Sequence, residues 1–88
     1  MARFETVADE ALMAPSNSCG DIFFELGIMH ATGRSGAADL VTAHQWFNLA
    51  ALRGNQAARQ YRAELAAEMS NADIAEAQRR AREWLTMH

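Results

Sequence analysis

The sequence predicts an all-α fold of about five helices in a single domain over residues 1–88. Alanine is abundant, residues branched at Cβ are few, and Pro15 is the only proline in the chain. Such a composition favours helix over strand. Apolar residues also recur three and four positions apart in successive segments, which is the spacing of one helix face.

The first helix is expected over residues 1–15, as a cap on the rest of the domain. Its apolar residues recur at helical spacing: Phe4, Val7, Ala8, Ala11 and Leu12. Pro15 and the polar residues 16–18 are expected to end this helix, because proline and small polar residues favour turns.

The second helix, over residues 21–32, and the third, over residues 40–53, are bounded by characteristic end residues. Gly33 and Gly54 follow them, and glycine is the residue most favoured just past a helix end. Asp39 precedes the third helix and is a suitable N-cap, because its carboxylate accepts a hydrogen bond from a free backbone N–H.

Two further helices are predicted over residues 56–68 and from Ser70 to about Met87. Ser70 is the expected N-cap of the last helix, and Asp73 three residues later completes a weak capping-box pattern. The joints between these last helices are very short, so sequential helices are expected to be antiparallel neighbours.

The helices over 21–32 and 40–53 are apolar on more than one side. A helix that is apolar nearly all round is buried on several sides, unlike a surface helix with a single stripe. Gly27 interrupts the first of these apolar runs at a cost of about 1 kcal/mol relative to alanine. This glycine indicates that a neighbouring helix backbone lies too close for a side chain. We therefore expect the helices to be stacked in layers, as in a short α-solenoid of antiparallel helical hairpins.

An internal repeat and a family resemblance support that architecture. Residues 43–47, AHQWF, match residues 81–85, AREWL. The stretch 26–55 resembles a Sel-1-like repeat, a relative of the tetratricopeptide repeats. The residues that fit its pattern are Leu26, Gly27, Met29, Gly33, Asp39, Ala43, Trp46, Phe47, Ala50, Ala51, Gly54 and Asn55. The resemblance, strongest over 22–58, gives a Sel-1-like hairpin at 21–54 and a degenerate second hairpin at 55–88.

The resemblance implies a module that binds other proteins, without catalysis and without a cofactor. We therefore expect a small adaptor or accessory subunit that binds a protein partner. In this superfamily the first helix of each hairpin lines the inner face, which nominates Phe23, His30, Arg59 and Arg62 as protein-binding contacts. Because solenoids usually need three or more units, part of the stability is expected to come from that partner or from self-association.

Phe23 has two explanations. In the family pattern this position is polar and faces outward, whereas in this chain Phe23 adjoins Phe24 and extends the apolar surface. Either a partner covers its ring, or the N-terminal helix folds over it. Trp46 and Trp84 are expected to lie largely in the hairpin core.

Two other functions stay open. One is a structural homo-oligomer without a different partner. The other is nucleic-acid binding through Arg79, Arg80 and Arg82 on the outer side of the last helix. Pairing with Glu76 and Glu83 within the helix explains these arginines more simply, and the net charge of −3 argues against a dedicated nucleic-acid binder.

No catalytic, cofactor or metal site is predicted, and no enzymatic activity is expected. His30 and His44 lack the spacing of a metal-binding motif. Cys19 precedes Gly20 near the predicted start of the second helix, which is an arrangement that can activate a thiol. No histidine lies near it in sequence to act as a base, so we interpret Cys19 as a bystander. As the only cysteine, it excludes an internal disulfide.

The cytoplasm is the expected location. The N-terminus lacks a positively charged start followed by an apolar run, so no signal peptide is predicted. No apolar stretch approaches the ~20 residues that a bilayer-spanning helix requires, and no membrane partner is expected.

Overall fold

The computed structural model of the chain describes residues 15–34 and 36–88. They form four helices, α1 (Pro15–Thr32), α2 (Leu40–Leu52), α3 (Gln56–Ala66) and α4 (Asn71–Met87). Within these ranges no strand occurs. The all-α prediction is confirmed for this part of the chain. The predicted helix over residues 1–15 lies, apart from Pro15, outside the described residues.

Pro15 is the first described residue of α1, and it and the polar residues 16–18 are helical, so they do not form the break that we expected before Asp21. The predicted helix start at Asp21 is therefore wrong, because residues 15–20 already belong to α1.

Side-chain caps begin the other three helices. The side chains of Asp39, Asn55 and Ser70 accept hydrogen bonds from the backbone N–H three residues later, at 3.1, 3.0 and 3.1 Å. The predictions for Asp39 and Ser70 are confirmed. Gly54 precedes the Asn55 cap with a φ of +94°, a conformation that glycine adopts without the steric cost of a side chain.

Helix α2 is the centre of the domain. Helices α1, α3 and α4 all pack against it, and it supplies most of the fully buried side chains. Those side chains are Ala43, His44, Phe47, Leu49, Ala50 and Ala51. The expectation that this helix is buried on several sides is confirmed. Helices α3 and α4 both make their main contacts with α2.

Gly27 of α1 faces the side chain of Phe47 of α2. A Cβ atom at this position would overlap the ring of Phe47, whose side chain is only 1% exposed. The glycine thus makes room for a buried neighbour, as its position in the apolar run predicts. The neighbour, however, is an aromatic ring and not the helix backbone that we expected, because the ring itself fills the space between the helices.

Two adjacent aromatic pairs join α1 and α2 to the remaining helices. Phe24 and Phe47 meet Tyr61 of α3, with ring centroids 5.1 and 5.8 Å from it. On the other side of α2, Phe23 and Trp46 meet Trp84 of α4, at 5.2 and 6.0 Å. We call the second group, Phe23, Trp46 and Trp84, the tryptophan triad.

None of the four described helices is both long and apolar enough to cross a lipid bilayer.

Candidate functional site

A groove opens between α3 and α4, with α2 as its base. A cavity of about 280 Å³ is lined by residues of all three helices: Asn48, Leu49, Leu52, Arg62, Gln78, Ala81, Arg82 and Leu85. A second depression of about 290 Å³ shares Asn48, Leu52 and Arg62 with it and adds Ala51 and Arg59. We call the two together the α3–α4 groove.

The floor of the α3–α4 groove is apolar and its leucines are partly uncovered. Leu49 and Ala81 are buried, whereas Leu52 is 64% and Leu85 37% exposed. The lining residues of α4 fall at positions i, i+3, i+4 and i+7, which places them on one helix face. The groove therefore presents apolar surface that no other described part of the chain covers.

The charged residues of the α3–α4 groove are all cationic. Arg59 and Arg62 lie on its α3 side and Arg82 lies on its α4 side. No carboxylate is among the lining residues. Among the described residues these three arginines form no ion pair, although the chain as a whole has a net charge of −3. The groove is thus a local region of positive charge.

A hydrogen-bonded relay holds Arg62 at the edge of the groove. Its Nη1 donates to Asn48 Oδ1 at 2.9 Å, so the amide nitrogen of Asn48 is directed toward His44 Nδ1 at 3.0 Å. Because an amide NH₂ only donates, Nδ1 must accept and the neutral His44 ring carries its proton on Nε2. Burial, together with the Arg62 charge, lowers the pKa of His44 below its ordinary value.

The four predicted contact residues divide between two parts of the fold. Arg59 and Arg62 both line the α3–α4 groove. Phe23 and His30 belong to α1, away from the groove lining. Phe23 packs in the tryptophan triad, and the backbone oxygen of His30 accepts a hydrogen bond from Asp39 at 2.9 Å.

The other main groove residues, Leu52, Leu85 and Arg82, were not predicted to share one surface. The helical spacing of residues 78, 81, 82 and 85 was a usable signal. A second signal was the repeat match between Phe47 and Leu85. Phe47 is 1% exposed, but Leu85 is 37% exposed, so the second copy of the repeat lacks the cover that the first copy has.

The arginines of α4 do not form one cationic patch. Arg79 pairs with Glu76 at 2.7 Å and with Glu83 at 3.2 Å, and Arg80 pairs with Glu76 at 2.9 Å. The pairing within the helix is confirmed, and these hydrogen bonds lower the pKa of Glu76 to about 2. Arg80 is half-buried beside α2 and not on the outer side as expected. Arg82 stands apart and faces the groove.

Histidine and cysteine side chains lie scattered over the described residues. No three His, Cys, Asp or Glu side chains gather there in a group that could hold a metal ion. Cys19 is exposed on α1. It lies beyond the first turn of that helix, because residues 15–18 before it are already helical.

No protein-family model, curated protein or solved structure matches this chain. The resemblance to Sel-1-like repeats therefore stays a prediction from residues 26–55.

Proposed function

We propose that the chain is a non-catalytic protein-interaction module, a small adaptor or accessory subunit, and that the α3–α4 groove holds its partner. The observation that carries this proposal is the combination of a buried apolar floor with the exposed leucines Leu52 and Leu85. Apolar surface surrounded by polar side chains is typical of protein interfaces.

The internal repeat supports the interpretation that the groove lies at the open end of a stack of helical repeats. Ala43 and its counterpart Ala81 are both buried, whereas the equivalent positions Phe47 and Leu85 differ sharply in exposure. In a stack of helical hairpins, the next unit would cover the position of Leu85. We propose that the domain is a short α-solenoid with an unfilled last layer, and that a helix of the partner takes the vacant position.

The size of the domain supports a contribution of the partner to stability. A domain this small buries a limited fraction of its surface, and α4 fully buries only Ala77 and Ala81. A ligand that binds only the folded state stabilises it by mass action. The partner is therefore expected to raise the unfolding midpoint of the chain as well as to bind it.

A site-specific photo-crosslinker tests the proposal. Benzoylphenylalanine in place of Leu85 puts the reactive group in the groove, and the same residue in place of Met87 is the matched control. Met87 is on the same helix, is 72% exposed and does not line the groove. We expect an adduct with one protein from the Leu85 position only, with the contact peptide identified by mass spectrometry.

The crosslinked protein must then bind the unmodified chain in purified form, and Leu85→Glu must abolish that binding. Equal adducts from both positions, or no adduct from the Leu85 position, contradict the proposal. An adduct with a second copy of the chain would support the homo-oligomer instead.

A further inference from the structure

We infer that the partner of the α3–α4 groove is an amphipathic helix of another protein that carries carboxylates on both flanks of its apolar stripe. This inference rests on the proposed function and specifies the chemistry of the partner. It is carried by the shape of the groove, by the placement of its arginines and by the way in which Arg62 is held.

The shape of the groove fits a helix. Its walls and floor are helices, and from Gln78 to Leu85 the α4 wall extends about 10 Å at 1.5 Å per residue. That length matches about two turns of a bound helix, which would place apolar residues at i, i+3 or i+4, and i+7 over Leu49 and Ala81. The described residues contain no strand, so the groove has no free sheet edge for an extended peptide to join.

The arginines on the two walls of the groove favour a bound helix with negative charge on both of its sides. Arg59 and Arg62 lie on one wall and Arg82 on the other, with no carboxylate among the lining residues. A partner with basic flanks would bring like charges together, which costs affinity at an interface. A carboxylate on each flank would instead meet guanidinium groups that can bind it through two hydrogen bonds.

Arg62 is already held in position before a partner binds. Its hydrogen bond to Asn48, which in turn contacts the buried His44, fixes one nitrogen of the guanidinium. Immobilising a long side chain on binding costs free energy, so a side chain that is already ordered loses less. The relay thus prepares one of the three cationic contacts on the groove rim.

The apolar floor favours a protein over a nucleic acid. Single-stranded nucleic acids are usually bound by aromatic rings on which bases stack, and no aromatic residue lines the α3–α4 groove. A phosphate backbone would also leave Leu52 and Leu85 uncovered.

Two matched peptides test the inference with the full chain. Both are stapled helices with the same leucine stripe, flanked by glutamate in one peptide and by arginine in the other. We expect the acidic peptide to bind at least roughly tenfold more tightly by fluorescence anisotropy. Its binding should shift the NMR resonances of Leu49 and Leu85.

Charge reversal of the two walls supplies the decisive comparison. In Arg59→Glu/Arg82→Glu both changed residues are exposed and have no described ion pair, so the circular dichroism spectrum should be unchanged. The variant should bind the basic peptide more tightly than the acidic one. Arg34→Glu is the control, because it reverses one charge outside the groove, in the loop after α1, where the Arg34 side chain is 58% exposed. This variant should still bind the acidic peptide more tightly than the basic one.

Each remaining outcome overturns the inference. Equal binding of the two peptides, no binding of either, or a preference that survives charge reversal excludes an acid-flanked helix as the partner. Self-association in sedimentation experiments that is lost in Arg59→Glu/Arg82→Glu would show that a second copy of the chain occupies the groove. In all these cases the Leu85 crosslink decides separately whether the groove binds a protein at all.

Discussion

The ring of Phe23 in α1 lies edge-on to the indole of Trp84 in α4, with centroids 5.2 Å apart and ring planes at 82°. Trp46 of α2 stacks on the same phenyl ring at 5.5 Å. Because α4 fully buries only two alanines, these aromatic contacts supply much of what holds it to the domain. The position of α4 in turn determines the width of the α3–α4 groove.

Replacement of Phe23 by alanine is expected to lower the free energy of unfolding by about 2–4 kcal/mol. The change removes two aromatic contacts and opens a cavity between α1, α2 and α4. Urea unfolding followed by circular dichroism measures the loss. Tryptophan fluorescence should change in the folded state as well, because both indoles lose the same neighbour.

The adjacent Ile22 is the matched control for Phe23. Its side chain is 58% exposed, so Ile22→Ala should change stability by no more than ~0.5 kcal/mol, as is usual for surface substitutions. Similar losses at the two positions would show that the tryptophan triad does not anchor α4.

Substitution of Gly27 by alanine is expected to destabilise the domain, although alanine is the better helix former. The new methyl group would overlap the ring of Phe47, which is buried and in contact with the rings of Phe24 and Tyr61. Overpacking of this kind costs about 1–3 kcal/mol, against a gain of about 1 kcal/mol in helix propensity. Thermal and urea unfolding should therefore show a net loss.

The double variant Gly27→Ala/Phe47→Leu tests that cause. The smaller leucine leaves room for the methyl group, so the two changes together should cost less than the sum of the single changes. Strict additivity would mean that the overlap with Phe47 is not what makes Gly27 necessary.

The helices were largely predictable because local signals determine them. Apolar spacing and the caps Asp39 and Ser70 depend on residues within one turn of each other. Pro15 and the polar residues 16–18 have the local composition of a break, yet they are helical. Whether such a segment turns or continues as a helix depends on how the apolar residues after it pack.

The α3–α4 groove was not predictable from the same signals. Periodicity shows that Leu52 and Leu85 lie on apolar helix faces, but it does not show which face lacks a neighbour. That depends on how α3 and α4 are placed around α2. The environment of Phe23 was missed for the same reason, because Trp84 reaches it only through the position of α4.

The stability of the domain is expected to fall as the pH decreases below the ordinary histidine pKa of 6.5. His44 has a lowered pKa in the folded chain because it is buried and lies near Arg62. Well above pH 6.5 the ring is neutral in both states, so His44 adds no pH dependence there. Below pH 6.5 the unfolded ring gains a proton that the folded ring resists, and the free energy of unfolding declines until the folded pKa is passed.

Urea unfolding at several pH values between about 7.5 and 5.5 measures that decline. His44→Gln should flatten the profile in this window, because it removes the buried ring. A pH dependence that is the same in the wild type and in His44→Gln would contradict a neutral, buried His44 in the relay.

Removal of the Asn55 side chain is expected to cost about 1–2 kcal/mol, because it makes two separate hydrogen bonds. Its oxygen caps α3 at the Ala58 N–H, and its nitrogen donates to Asp21 of α1 at 3.1 Å.

Asn55→Ser keeps a capping oxygen but cannot reach Asp21, so urea unfolding should place it between the wild type and Asn55→Ala. Asn71→Ala, at the exposed first position of α4, is the control and should have little effect. If Asn55→Ser proves as unstable as Asn55→Ala, the bond to Asp21 outweighs the cap, and the contact between α1 and the start of α3 is the main role of this residue.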